Sequence, residues 1–448
     1  MEKHQQALVD QSIRRILTCY EHAHGLLRSP TDPRSGAVQE SLAFAALLLT
    51  RTAAGKGRNS ELGLARLLID TLLPLQNRHR RDPGRGAFPL VRAPEDTRPQ
   101  TMDVSSRAIM GSMLALLLKE HSSLLGEKRC VRIREAVKHC IRGSRSHGAG
   151  DTSDAMILAW LEFEFGDTIR GERLATEVSL MGGEQRSSHR FGNPRAYALE
   201  LWGLSLWNRS SALHAGVQDM LISLREEVSR YAHPDLPEVF GGMTAGSCSS
   251  AGEFAWLGCW LSWHARGGRP LLPKHMADPL QPTLFAFPAL AKFKLGDAVP
   301  GAGTDGRLER SFVTGERHDI ISGWWENDLH LEARSSRVSP PDRAPVAGAR
   351  WRTPSGTTAW LRCSVTGRER AVCRKRFIHL EEPGTTIITV HDLGSGDVRM
   401  IDNGWWLSGL HFASDGLQMT DAERTPDGLK LRLKPTESRP MLLLAPLN

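Results

Sequence analysis

Two hydrophobic periods divide this chain, and the place where one gives way to the other constrains its fold more than any other feature. From residue 1 to about 270 the spacing is helical. "SLAFAALLL" (41–49), "RAIMGSMLALLL" (107–118), "DAMILAWLEFEF" (154–165), "AYALELWGLSLW" (196–207) and "FAWLGCWLSW" (254–263) are apolar nearly all round. Helices of that kind must be covered on every side. Between them lie one-sided helices: "ELGLARLLIDTLL", "CVRIREAVKHCI" and "VQDMLISLREEV", the last with Val217, Met220, Leu221, Leu224 and Val228 on one face. That spacing is the amphipathic signature. The pattern stops at "ARGGRPLLPKHMADPLQPTLFAFP", whose prolines forbid a continuing helix. Beyond it "DLHLEARSS", "TTAWLRCSV", "KRFIHLEEPGTTIITVHDL" and "GLKLRLKP" alternate with period two between Gly, Asp and Pro turns.

Buried helices alternating with amphipathic ones, on a period of roughly 45–55 residues, suggest stacked hairpins. The expectation is a multidomain α+β protein. Residues 1–270 form an (α/α) toroid of helical hairpins, an incomplete ring with the apolar helices inside. Residues 271–285 form a Pro-rich linker, and 286–448 an antiparallel β-sandwich. A right-handed open solenoid is the alternative for the helical half. A chain of 448 residues exceeds one ordinary core, in keeping with two domains.

Composition narrows the partners. Net charge is +7 and the isoelectric point is near 9.2, a balance that favours acidic ligands. Basic residues interleaved with aromatics are missing, which argues against nucleic acid; "RKRF" (374–377) falls in a strand. No apolar run is long enough to span a bilayer, and the N-terminus lacks a secretory h-region, so the expected setting is cytoplasmic with no membrane partner. Seven cysteines, an odd number with no CxxC, point to buried thiols rather than disulfides or zinc. His22 and His24 cannot share a helix face and no HExxH occurs, so neither metal nor cofactor is expected.

The stretch "SSHRFGNPRAYALELWGLSLW" (187–207) crowds His189, Arg190, Asn193, Arg195 and Tyr197 at the start of an apolar helix. Asn193 suits the N-cap and Pro194 the first helical position. Capping alone explains Asn193, with Tyr197 then packing into the core. The other reading places the cluster at the mouth of a cleft, where free N–H groups and the helix dipole favour an anion.

At these residues the chain resembles the α/α-toroid polysaccharide lyases, in particular the heparinase II/III-like bacterial proteins. "NPRAY" keeps the Asn-to-Tyr spacing of that group's Asn-Ser-Pro-Thr-Tyr, with Pro moved by one. "LARLLIDTLLPLQ" (64–76), "DTSDAMILAWLEFEFGD" (151–167) and "ARWRTPSGTTAWLRC" (349–363) are similar to segments that follow in the same order. The resemblance implies β-elimination on uronate-containing, anionic polysaccharide or oligosaccharide. Catalytic roles would fall to Tyr197, His189, Asn193 and His233, and substrate binding to Arg190, Arg195, Asp154, Asp103 and Trp325. The departures are plain: Ser153-Asp154 replaces the group's Asn, and "GGMTAGSCS" lacks the His and Arg of its Gly-Pro-His-Ser-Arg loop. Two further readings stand beside it. Asp103 and Asp154, each at the start of an inner helix, would suit glycoside hydrolysis as a carboxylate pair, or serve only as caps. A glycan-binding scaffold that has lost the motif is the other. At Trp324-Trp325 and Trp405-Trp406 only one of each pair can face a sugar, because strand neighbours point opposite ways.

Overall fold

The computed structural model describes residues 2–22, 25–29, 35–92, 101–147, 152–180, 194–208, 220, 224, 251–264, 279–291, 306–314, 317–326, 329–336, 346–355, 358–391, 393, 398–401, 404–425 and 428–446. The chain divides into two compact units, a helical one followed by one built of strands.

The helical unit contains α1 (Lys3–Leu17), α2 (Val38–Ala53), α3 (Asn59–Leu72), α4 (Ser106–Leu125), α5 (Glu127–His147), α6 (Thr152–Phe165), α7 (Thr168–Leu180), α8 (Pro194–Asn208), α9 (Ala251–His264) and α10 (Ala286–Ala291). The five apolar segments fall in α2, α4, α6, α8 and α9. Burial follows the pattern: Ser41–Leu49 of α2 and Ser106–Leu118 of α4 are buried without interruption, whereas α3 buries only Ala65, Leu68, Ile69 and Leu72. Helices α2, α4 and α6 run in one direction. Thr50 Oγ1 meets His121 Nε2 at 3.5 Å near the C-termini of α2 and α4, and Lys119 of α4 reaches Glu164 of α6 at 2.8 Å. Buried indoles tie the inner layer together, Trp202 Nε1 donating to Ser112 Oγ (2.8 Å) and Trp207 Nε1 to the Met156 carbonyl (3.1 Å). A buried indole N–H left without an acceptor would be costly, so these bonds fix helix register as well as filling space.

The chain reverses between α4 and α5 at Gly126, whose φ of 82° suits a residue without Cβ. The C-terminus of α5 therefore returns to the N-terminal end of α4, and residues 76–88 cross that end as a strap. Gln76 Nε2 donates to the carbonyls of Gly86 (3.1 Å) and Ala136 (2.8 Å). Arg107, buried in the first turn of α4, donates through Nε to the Arg85 carbonyl (2.8 Å) and through Nη2 to that of Pro83. Close approach of strap to helix depends on Gly143, where a Cβ would lie 1.9 Å from the Arg85 oxygen.

Short strand pairs complete this end: β1 (Tyr20–Glu21), β2 (Leu26–Arg28), β3 (Gly36–Ala37) and β5 (Val91–Arg92) form one small sheet, β4 (Phe88–Pro89) and β6 (Met102–Asp103) another. At two or three residues each, they are too short for periodicity to announce.

One boundary differs from the sequence expectation. Residues 281–285 form a 3-10 turn and 286–291 form α10, both buried and packed against α2, so these residues extend the helical unit rather than forming the end of a linker and the start of the sandwich. Pro282 lies at the start of the turn, where its missing N–H removes no bond.

The second unit is an antiparallel network of β7 (Gly306–Thr314), β8 (Arg317–Glu326), β9 (Leu329–Ser336), β10 (Ala347–Arg352), β11 (Thr358–Arg374), β12 (Phe377–His391), β13 (Val398–Ile401), β14 (Gly404–Leu407), β15 (Leu410–Asp415), β16 (Leu417–Thr425), β17 (Gly428–Pro435) and β18 (Met441–Pro446). The long hairpin β11–β12 bends, with register shifts between Val365 and Arg370 and a positive φ at Glu382. One half of β12 (Thr386–His391) pairs with β17, the other (Phe377–His379) with β18, so two arms leave the same hairpin. They close on one core: Trp351 Nε1 of β10 donates to the Ser408 carbonyl between β14 and β15 (3.3 Å), and alternating residues such as Leu429, Leu431 and Leu433 fill the interior.

Candidate functional site

Helix α8 begins at Pro194, the position its sequence favours. Arg195, in the first turn and half-buried, sets its guanidinium carbon 5.3 Å from the centre of the Trp256 ring on α9, so the starts of these two inner helices meet. Behind this pair, Phe287 of α10 contacts Trp256 (5.1 Å between centres) and, edge to face, Trp202 (5.1 Å). The aromatic stack holds Trp256 in place, and Trp256 holds the cation. A guanidinium on an indole face is worth about 0.5–2 kcal/mol depending on desolvation.

Tyr197 lies two residues further on, and none of its surface reaches solvent. Asp154, in the first turn of α6, is 2% exposed. Asp103 is half-buried in β6, and its Oδ1 accepts the Ser105 N–H (3.1 Å), an Asx turn leading into α4. Trp325 is in β8, its backbone paired with Gly306 and His330. His189, Arg190, Asn193 and His233 lie outside the described residues. Of the sequence candidates, then, the described chain places Arg195 and Tyr197 at one helix start and Asp103 and Asp154 at the starts of two helices that run in parallel.

Trp256 was not among those candidates. It is embedded in the apolar run of α9, and its one distinguishing mark was its place near the polar start of that helix. The strap was also missed, although "RHRRDPGR" (78–85) is the densest basic run in the chain, with four arginines, one histidine and a single aspartate. Among the described residues no group of three His, Cys, Asp or Glu side chains converges as a metal site would. The six described cysteines are all free, five of them buried, and burial pushes the Cys140 and Cys363 thiols up to about 12, far from the thiolate form. No described helix is long and apolar enough to cross a membrane.

No protein-family model and no curated protein sequence matches the chain. Among solved structures the chain is similar to the chondroitin AC lyase of Streptomyces coelicolor A3, determined in complex with chondroitin sulphate. The two share 13% identity and a TM-score of 0.40 over 98% of this chain and 79% of that one. Similarity at this level reaches neither residues nor activity.

Proposed function

We propose that the protein is a carbohydrate-active protein of the polysaccharide-lyase type, acting on uronate-containing glycans at the end where α8 and α9 begin. The observation that carries this reading is Arg195 seated on Trp256, which offers a fixed cation beside an aromatic surface. A uronate presents the complementary pair, a carboxylate on an otherwise weakly polar sugar face. In β-elimination a base removes the proton beside the carboxylate, the C–H electrons become the new double bond, and the bond to the leaving oxygen breaks as that oxygen takes a proton. Arg195, with Arg190 and Asn193, would neutralise the carboxylate; Tyr197, His189 and His233 are the candidates for proton transfer. Because Tyr197 is enclosed, this chemistry requires the first turn of α8 to open as the glycan binds.

A second reading is favoured by that same enclosure. Tyr197 and Asp154 are buried as core residues are, which suits a glycan-binding protein that no longer cleaves. Hydrolysis by Asp103 and Asp154 has least support, since one carboxylate is enclosed and the other is engaged by its own turn. Incubation with a panel of uronate polymers separates all three. The lyase yields unsaturated ends whose C=C conjugated to the carboxylate absorbs at short ultraviolet wavelengths; the hydrolase yields reducing ends without that absorbance. A binding protein yields neither and still loses affinity on Arg195→Ala or Trp256→Ala. If neither variant changes turnover or binding, the α8–α9 end is not the site.

A further inference from the structure

The strap carries Arg78, His79, Arg80 and Arg81 exposed and Arg85 half-exposed, against one carboxylate. That carboxylate, Asp82, is turned back into the strap. Its Oδ1 accepts the Gly84 N–H at 2.6 Å, and the bonds from Asn77 and Gly84 hold it below the usual carboxylate range. It thus braces the loop. The loop is built to hold its shape, closed by Asn77 N to the Ala87 carbonyl (3.0 Å) and Gly86 N to the Asn77 carbonyl (2.7 Å), and fastened to α4 by Arg107.

Against this loop lie the last turns of α5. His139 sits among Arg78, Arg85 and Arg142, with Glu135 the opposing charge among the described residues, and Glu135 bonds Lys138 at 2.9 Å. Two polar atoms at the junction, His139 Nδ1 and Arg85 Nε, are buried without a hydrogen-bond partner among the described residues. Cations at a helix C-terminus stabilise its dipole, which accounts for Arg142 and Arg145. Arg145 is also held by Glu162 at 2.6 Å. The dipole does not account for Arg78 and Arg85, which a separate, braced loop brings to His139 on the same helix.

We propose that the strap and the C-terminal turns of α5 form a second anion-binding site, for the sulfate or carboxylate groups of a linear acidic polysaccharide. Arginine forks pair with both groups, and a repeating polymer can meet several in succession. Single-stranded nucleic acid fits less well, because it needs aromatic platforms and the nearest one on the strap, Phe88, is fully buried. The site is independent of any cleavage at α8 and α9.

The test measures binding of dextran sulfate, polygalacturonate and a single-stranded oligonucleotide across a salt series, for the full chain and for Arg78→Gln/Arg85→Gln/Arg142→Gln. Affinity for at least one of the two polysaccharides should fall tenfold or more. The slope of log affinity against log salt should shrink by about two to three, roughly one per guanidinium removed. The corresponding Arg→Lys protein should keep most of the slope, which a packing role would not produce. Dextran sulfate bound without polygalacturonate assigns the site to sulfate; the reverse assigns it to carboxylate. Should the triple variant fold poorly, Arg142→Gln alone, at an exposed position, should still lower the slope by about one. Unchanged affinity and slope would overturn the proposal, as would an oligonucleotide binding more tightly than both polysaccharides through the same arginines. Lack of turnover by the unaltered protein would count against the lyase reading and leave this result standing.

Discussion

The hydroxyl of Tyr197, one of the proposed proton carriers at α8, is enclosed in the free chain. Tyr197→Phe keeps the ring and its packing, so stability should change by only about 1 kcal/mol, the net worth of one hydrogen bond. If that hydroxyl carries a proton in the slow step, turnover of the cognate glycan should fall by a factor on the order of a hundred or more. Equal turnover at matched melting temperatures would remove Tyr197 from the mechanism. His139 gives a second residue-scale test. Burial, then Arg78, Arg85 and Arg142, hold its pKa below the usual 6.5, with Glu135 opposing. The folded state therefore binds fewer protons at His139 than the unfolded state does. Its contribution to stability is intact above the unfolded value and is lost as pH falls through 6.5 toward the depressed folded pKa. A bound polyanion offsets the arginines and raises that pKa, so binding should take up a proton and strengthen as pH falls. Calorimetry in buffers of different ionisation enthalpy should show that uptake, and His139→Gln should lack it. Proton release on binding would contradict the assignment.

At the scale of elements, the strap and helix α5 depend on a contact with no room for a side chain. Gly143→Ala puts a methyl where the Arg85 oxygen lies and must displace either strap or helix. The expected loss is about 1–3 kcal/mol in thermal or urea unfolding, the usual cost of overpacking, and full stability would show that the strap is loosely seated. Glu162 is buried at 2% and joins Arg145 of α5 to α6, with Arg170 of α7 close by. Glu162→Ala removes the bond between the helices but leaves Arg145 and Arg170, each more than a third exposed, in reach of water, and should cost about 1 kcal/mol in thermal or urea unfolding. These elements were legible in the sequence to very different degrees. The apolar run 107–118 announced an inner helix because burial on every side removes polar residues from all faces of α4. The alternation in "GLKLRLKP" announced β17 because one face of it meets the core. The small sheets gave no signal, since strands of two residues have no period. The reading of 271–285 as a linker leaned on proline count and overlooked that proline at a helix start is neutral. For the proposed site, Arg195 could be read as a candidate from its place beside Pro194. Trp256, proposed to seat Arg195, was hidden because an inner helix is apolar everywhere and a tryptophan there looks like packing.

Across the whole molecule, an excess of seven positive charges, with the two proposed anion sites of the helical unit, predicts association with acidic polymers that weakens with salt. The helical unit supplies Arg195, Trp256 and the strap from helix starts, helix ends and loops on a rigid frame, which is where binding groups concentrate in folded proteins. The central claim is that the α8–α9 end binds a uronate glycan and cleaves it by elimination, and it reduces to one comparison. Short-wavelength ultraviolet absorbance of the unsaturated uronate is followed while the unaltered protein and Arg195→Ala are each incubated with uronate polymers, at salt concentrations high enough to screen the strap. Absorbance should rise with at least one polymer and fall by a factor on the order of a hundred in the variant, at equal melting temperature, as expected when a transition-state charge loses its partner. A rise of equal rate in both proteins, or none with any uronate polymer, would contradict it.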